Sequence, residues 1–428
     1  MSLHPAPPFD LFNVYFERLY DPTMHLLLAF DGEVDDAALK TATLRLLAAN
    51  PYLRSRFSEE GDGMPCWEEI GEEEWERAFV LLPEEVKKDR PPDPLDVRRG
   101  PQVRVSLARA RGGDQVVVTC HHGFSDAKGI IDLARHLFET YQAVRRDPTF
   151  RPESLRWYDR GTGKVLARFS EEEIRRAWDE EEPFVDNWRF PVERLERGTP
   201  RTASRTFSPA RLKRAKEFGR RHGATVNDIM IAAVFLALMK VRDDPSDRGT
   251  PRAILTSADL RRYLDHPEAC PPMNLSVAFE ITLTATEGAD LEDVIDQVTA
   301  VTRRRKAEGF GIGCILFYDE IYGKGMPGVE AFFDEMVQGY EGNGLKNPVF
   351  SNIGILDAGD FLPLDGKDGE PLDLRDVRFL PCVCRPYGFL MSLSTFRDQM
   401  TIVSAYEEGP YSKEVVEEFL DAVAGYLP

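Results

Sequence analysis

His121-His122-Gly123-Phe124-Ser125-Asp126 brings two imidazoles and a carboxylate together in one short segment. A neutral imidazole can accept a proton near physiological pH, which is the work of a general base acting on a hydroxyl or an amine. In an extended strand neighbouring side chains point to opposite faces, so one of the two histidines serves a given site and the other supports it. Asp126 stands four positions after His122, where its carboxylate could cap a following helix or anchor the loop that holds the imidazole. A zinc site would need Asp126 or a distant residue as third ligand, and the opposed faces argue against it. Residue types alone leave the base, the metal ligand and the plain helix cap open.

The elements that must position this segment are legible around it. Val103, Val105 and Leu107 alternate with Arg104, Ser106 and Ala108, and Gly112-Gly113 turns the chain into Gln115 to Cys120, a pattern that predicts an antiparallel hairpin. Ile130, Leu133, Ala134, Leu137, Phe138 and Tyr141 then recur at helical spacing. Strand therefore gives way to helix between about His122 and Asp126. Residues from about Thr149 to Arg205 read as a crossover, interrupted by one short helix with the capping box Ser170 to Glu173 and the staple pair Phe169 and Ile174. Beyond it the pattern predicts a basic helix near Pro209 to His222 and an apolar helix from Asn227. Strands follow around Leu275 to Leu283 and Val349 to Leu356, then a hairpin of Phe389 to Thr395 with Met400 to Tyr406, and a last helix capped by Ser412.

A chain of 428 residues with 42% hydrophobic residues exceeds one ordinary core, and two domains are expected, 1–185 and 186–428. A net charge of −19 excludes a general basic field for nucleic acid or an anionic membrane, and favours a small-molecule or protein partner. Ile229 to Met239, the longest apolar run, is shorter than the roughly 20 residues of a spanning helix and is expected to be buried. Six cysteines without a dense disulfide spacing, and a start without a basic and apolar leader pattern, point to a reducing cytoplasm. Cys382-Val383-Cys384 reads as structural thiols, with no metal expected. Arg303-Arg304-Arg305-Lys306 reads as a solvated helix end, and Gly309, Gly311 and Gly313 as a turn or hinge.

The histidine segment resembles the His-His-x-x-x-Asp-Gly motif of the superfamily of chloramphenicol acetyltransferase, peptide-synthetase condensation domains, alcohol acetyltransferases, polyketide-associated acyltransferases and wax ester synthases. Leu26 to Asp31, the helix to Asn50 and Leu53-Arg54-Ser55-Arg56-Phe57 resemble the family's opening blocks. Gly223-Ala224-Thr225-Val226-Asn227-Asp228, Asp259-Leu260-Arg261-Arg262 and Phe350-Ser351-Asn352-Ile353-Gly354 resemble its later ones. The resemblance spans most of the chain, in the right order.

It implies an α/β (α+β) fold of two chloramphenicol-acetyltransferase-like subdomains in a V, mixed sheets flanked by helices, with donor and acceptor channels meeting at the histidine. Carried over by position, His122 is the catalytic base, His121 a supporting residue, and Asp126 the partner of an arginine for which Arg261 is the match. Ser125, Ser351 and Asn352 are candidates for an oxyanion or channel role. The implied reaction moves an acyl group from a thioester to an alcohol or amine. Coenzyme A or a carrier protein's phosphopantetheine is the co-substrate, with no bound cofactor, in a monomer. Ala127 departs from the motif's glycine, and alanine there requires a negative φ and free space. A non-catalytic binding or scaffolding module is the rival expectation, and hydrolysis a third.

Overall fold

The run Val116-Val117-Val118 lies in a strand, Gln115–His121, that is third of five in its sheet and fully buried on both faces. β-Branched side chains suit such a pleated, two-sided environment. In the computed structural model, residues 3–60, 63–87, 89–179, 185–307, 309–384 and 388–428 are described. The sheet runs Leu374–Leu380, Thr23–Phe30, Gln115–His121, Val103–Ala108, Phe79–Leu82. The expected hairpin is present, with Val103 opposite Cys120 and Ala108 opposite Gln115. The helix Ala127–Arg146 follows directly and turns Ile130, Leu133, Leu137 and Tyr141 into the core.

A second sheet of six strands runs Ser276–Leu283, Arg252–Asp259, Val349–Ile355, Leu390–Phe396, Gln399–Glu408, Thr199–Phe207. The apolar helix Val226–Arg242 belongs to its core, next to Leu291–Ala307 and Lys413–Tyr426. Its start is fixed by a reciprocal cap: Thr225 Oγ1 accepts from Asp228 N at 3.2 Å, and the Asp228 carboxylate accepts from Thr225 N at 2.8 Å. The chain is thus a mixed α/β molecule of two lobes, each a sheet flanked by helices. The short helix Glu171–Asp179 carries the expected box between Ser170 and Glu173.

The lobes share material. Leu374–Leu380 forms the edge of the first sheet although it lies in the second half of the chain, pairing antiparallel with Thr23–Phe30. The helix Pro8–Tyr15 gives Phe9 to one core and Leu11 and Phe12 to the other. Among the described residues no single helix is long and apolar enough to cross a membrane. Pro209–His222 and Val226–Arg242 pass such a test only as a pair, bent by 98°.

Candidate active site

The motif strand ends at His121, and His122 to Phe124 form a turn held by His122 N–H donating to Pro22 O (2.8 Å) and Phe124 N–H to His121 O (2.9 Å). The bend separates the two imidazoles by role. His121 is buried, and its Nδ1 accepts from Gly123 N–H at 3.0 Å, shaping the turn. Burial, with His122 and Arg98 adding, pushes its pKa down to about 3, so it is neutral. His122 is half-buried and its ring faces a cavity. Burial lowers its pKa below the ordinary imidazole value, with Asp126, Asn274 and Asp10 pulling the other way.

Asp126 caps the motif helix by accepting from Gly129 N–H at 2.9 Å. Its carboxylate also takes both terminal nitrogens of Arg261 (2.8 and 3.1 Å) and Leu275 N–H at 2.7 Å. Burial opposes its charge, but Arg261 and the backbone donors outweigh burial and hold its pKa below the usual carboxylate range. The Arg261 terminal nitrogens also donate to Met273 O (2.8 Å) and Asp259 (3.1 Å). The pair therefore clamps the start of the motif helix in one lobe to the entry of the strand Ser276–Leu283 in the other.

A second buried network holds the turn itself. Asp10 accepts from Arg160 (2.6 and 3.0 Å), Trp67 Nε1 (2.9 Å) and Asn274 Nδ2 (3.1 Å). Arg160 donates to Phe124 O and Pro272 O, and Asn274 donates to Gly123 O at 3.1 Å. Two carbonyls of the turn that carries His122 are thus fixed by fully buried side chains. Asn274 Oδ1 and His122 Nδ1 are both buried and neither has a formed hydrogen bond, while Asn274 favours the protonated ring. They are a complementary donor and acceptor. Asp10, Arg160 and Asn274 escaped the reading of the sequence. The available signal was a lone ionic or amide residue inside Phe9-Asp10-Leu11-Phe12 and Met273-Asn274-Leu275, since such groups are buried only with partners; Arg160, next to Asp159, carried no such signal.

The condensation-domain family profile matches residues 22–245, more than half of the chain. The chain belongs to the condensation-domain family. No curated protein matches this condensation-domain protein in sequence. Solved structures that share its fold across nearly its whole length include a polyketide synthase associated protein, an O-acetyltransferase and a condensation domain. Polyketide synthase associated protein 5 from Mycobacterium tuberculosis is 18% identical, with a TM-score of 0.67, covering 99% of this chain and 98% of its own. The TRI3 trichothecene 15-O-acetyltransferase from Fusarium sporotrichioides is 13% identical, with a TM-score of 0.68, covering 99% and 94%. The first condensation domain of the CDA synthetase is 16% identical, with a TM-score of 0.65, covering 100% and 97%.

In this condensation-domain protein the cavity at His122 has a volume of about 200 Å³ and is walled by both lobes, including Tyr20, Met24 and Phe379 from one and Leu255, Val277 and Leu390 from the other. Ser351 faces it, its hydroxyl 2.9 Å from that of Ser257 on the neighbouring strand. Two other sequence candidates are placed elsewhere. Ser125 is fully buried off the cavity wall and its hydroxyl turns back to Asp126 O at 3.4 Å. Asn352 points to solvent, because side chains alternate along its strand, and accepts from Gly354 N–H at 3.0 Å. Ala127 begins the motif helix without a positive φ and lines the cavity. The close approach that glycine permits falls instead at Gly129, where a Cβ would stand 1.9 Å from Ser125 Oγ. Cys382 and Cys384 are free, buried and part of the cavity wall. The basic run ends the helix Leu291–Ala307, with Arg303 donating to Gly223 O at 2.8 Å, off the cavity.

Proposed function

We propose that this protein transfers an acyl group from a thioester to an alcohol or amine, with His122 as general base. One observation carries the reading: a neutral imidazole opens onto an apolar cavity walled by both lobes, on a turn fixed by buried side chains. If the buried Nδ1 carries the ring hydrogen, Nε2 keeps its lone pair for the cavity. It takes the proton of the acceptor hydroxyl or amine as that atom attacks the thioester carbonyl. The tetrahedral oxyanion then collapses, the carbon–sulfur bond breaks, and the leaving thiolate takes up the proton held on Nε2. The step needs no acyl-enzyme and no bound metal or redox cofactor.

The Ser257 and Ser351 hydroxyls offer donors on the cavity wall for the oxyanion, a role in which one preorganised donor is worth about 3–4 kcal/mol in other acyl-transfer enzymes. Membership of the family and the O-acetyltransferase among the structural neighbours support acyl transfer. Membership also supports a carrier protein as holder of the donor, with coenzyme A as the free form of the same thioester. A monomer would suffice for this reaction, since both walls of the cavity come from one chain.

The test is thiol release from acyl thioesters, presented on coenzyme A and on loaded carrier protein, with mixed alcohols and amines, in the parent and His122→Ala. Acceptor-dependent release that falls at least roughly a hundredfold in the variant is expected for a general base. Undiminished release in the variant overturns the role of His122. Silence of the parent with both donors overturns acyl transfer in favour of a non-catalytic binding module.

A further inference from the structure

Outside the histidine cavity lies a second chamber of about 740 Å³, which shares Phe16, Leu255, Ala278, Tyr318, Tyr340 and Lys346 with the first. Its other walls include four aromatic side chains, Phe12, Phe317, Phe332 and, at the mouth, Trp178. The charges among them do not balance. Lys346 is the one cation among the described lining residues, and it is answered by Asp186 at 3.4 Å and by the Tyr340 ring, whose centre is 5.0 Å away. Glu280 shares the field of Lys346 with Asp186, and Glu335 has no cation partner among the described lining residues. Glu280 is half-buried and accepts from Asn347 Nδ2 at 2.7 Å, and neither glutamate forms an ion pair with a described residue.

Aromatic faces present negative charge and attract cations, most strongly where water is excluded. A carboxylate set among apolar groups is costly until a cation joins it. We propose that the outer chamber is a subsite for an organic ammonium group on an apolar body. The strand Ser276–Leu283 sets the spacing. Ser276, Ala278 and Glu280 share one face, Ser276 lining the inner cavity and Glu280 the outer, and a strand rise of about 3.4 Å per residue separates them by about 14 Å. The ammonium therefore sits about that far along the strand from the part of the substrate beside Ser276 in the inner cavity. An anionic headgroup on Lys346 fits worse, because it would displace Asp186 and face Glu280. As a choice of substrate this rests on the acyl-transfer reading; as a binding preference it stands apart from it.

The test is calorimetric titration of the full chain at low salt with decyltrimethylammonium, decanol and decanoate, each below its micellar concentration. Decyltrimethylammonium is expected to bind about tenfold more tightly than decanol, the factor that corresponds to one cation–π and carboxylate site, and decanoate more weakly than either. Glu280→Gln keeps an oxygen for Asn347, and should remove most of the cation's advantage while leaving decanol unchanged. Glu335→Gln, at the exposed mouth where folding is not at stake, should move it the same way by a smaller factor. No binding of the cation, decanoate binding as well as the cation, or Glu280→Gln weakening cation and decanol alike overturns the proposal. Cation preference without thiol release would sink acyl transfer alone; thiol release without cation preference would sink the subsite alone.

Discussion

The proton on His122 is contested by burial, which lowers its pKa, and by Asp126, Asn274 and Asp10, which raise it, and burial wins. A base must be neutral to act, so the acid limb of kcat/KM should fall at a pH below 6.5, the ordinary imidazole value. A pH–rate profile with its acid midpoint at or above 6.5 contradicts that environment. Asn274→Ala removes the side-chain Oδ1 and the hold on Gly123 O, and should lower kcat by about tenfold or more while the Asp126–Arg261 clamp keeps the protein folded. Thermal melting beside the kinetics separates the two effects. Gly129 gives a sharper steric test. Gly129→Ala drives a methyl group to within 1.9 Å of the buried Ser125 Oγ and should cost about 1–3 kcal/mol. Adding Ser125→Ala removes the clashing oxygen and should recover part of that stability in a denaturant titration. No recovery would place the strain elsewhere.

At the scale of elements, Asp126 and Arg261 join a helix start to the entry of a strand in the other lobe, and both are buried. Arg261→Met strands the carboxylate, and removing one partner of such a pair typically costs about 3–5 kcal/mol. Because the folded-state pKa of Asp126 is depressed, its contribution is present above the unfolded carboxylate value and is lost as pH falls through the lower, folded one. Stability should therefore fall less steeply with acid in Arg261→Met than in the parent, as followed by urea titrations across the acid range. Local elements were readable because their causes are local: alternating Val103 to Leu107, the helical spacing from Ile130, the box at Ser170 and the cap at Ser412 all appear where expected. Arg261 was found as the partner of Asp126 only through resemblance. Asp10 and Asn274, 264 positions apart, have no local pattern that announces their contact. Ser125 and Asn352 were misplaced because the sequence names a segment without fixing which way its side chains turn.

The whole molecule ties its lobes with chain as well as with contacts. Leu374–Leu380 pairs with Thr23–Phe30 from Leu374 opposite Phe30 to Leu380 opposite His25, and Leu356, Phe361, Val377 and Phe396 complete the first core from the far half of the sequence. A cut between 185 and 186 would therefore strip the first sheet of an edge strand and leave the apolar Thr23–Phe30 unpaired along one side, the kind of edge that seeks another chain. It would also remove the Asn274 and Pro272 partners of Asp10 and Arg160, leaving a buried pair partly exposed. The fragment 1–185 made alone should consequently show no cooperative thermal transition and should aggregate, whereas the full chain should unfold in one transition by both tryptophan fluorescence and far-ultraviolet dichroism. A soluble fragment with its own sharp transition would mean that the first lobe carries a complete core. The shared strand and the buried Asp10 network would then serve the alignment of His122 against the second lobe and contribute little to folding, and their loss would be seen in turnover alone.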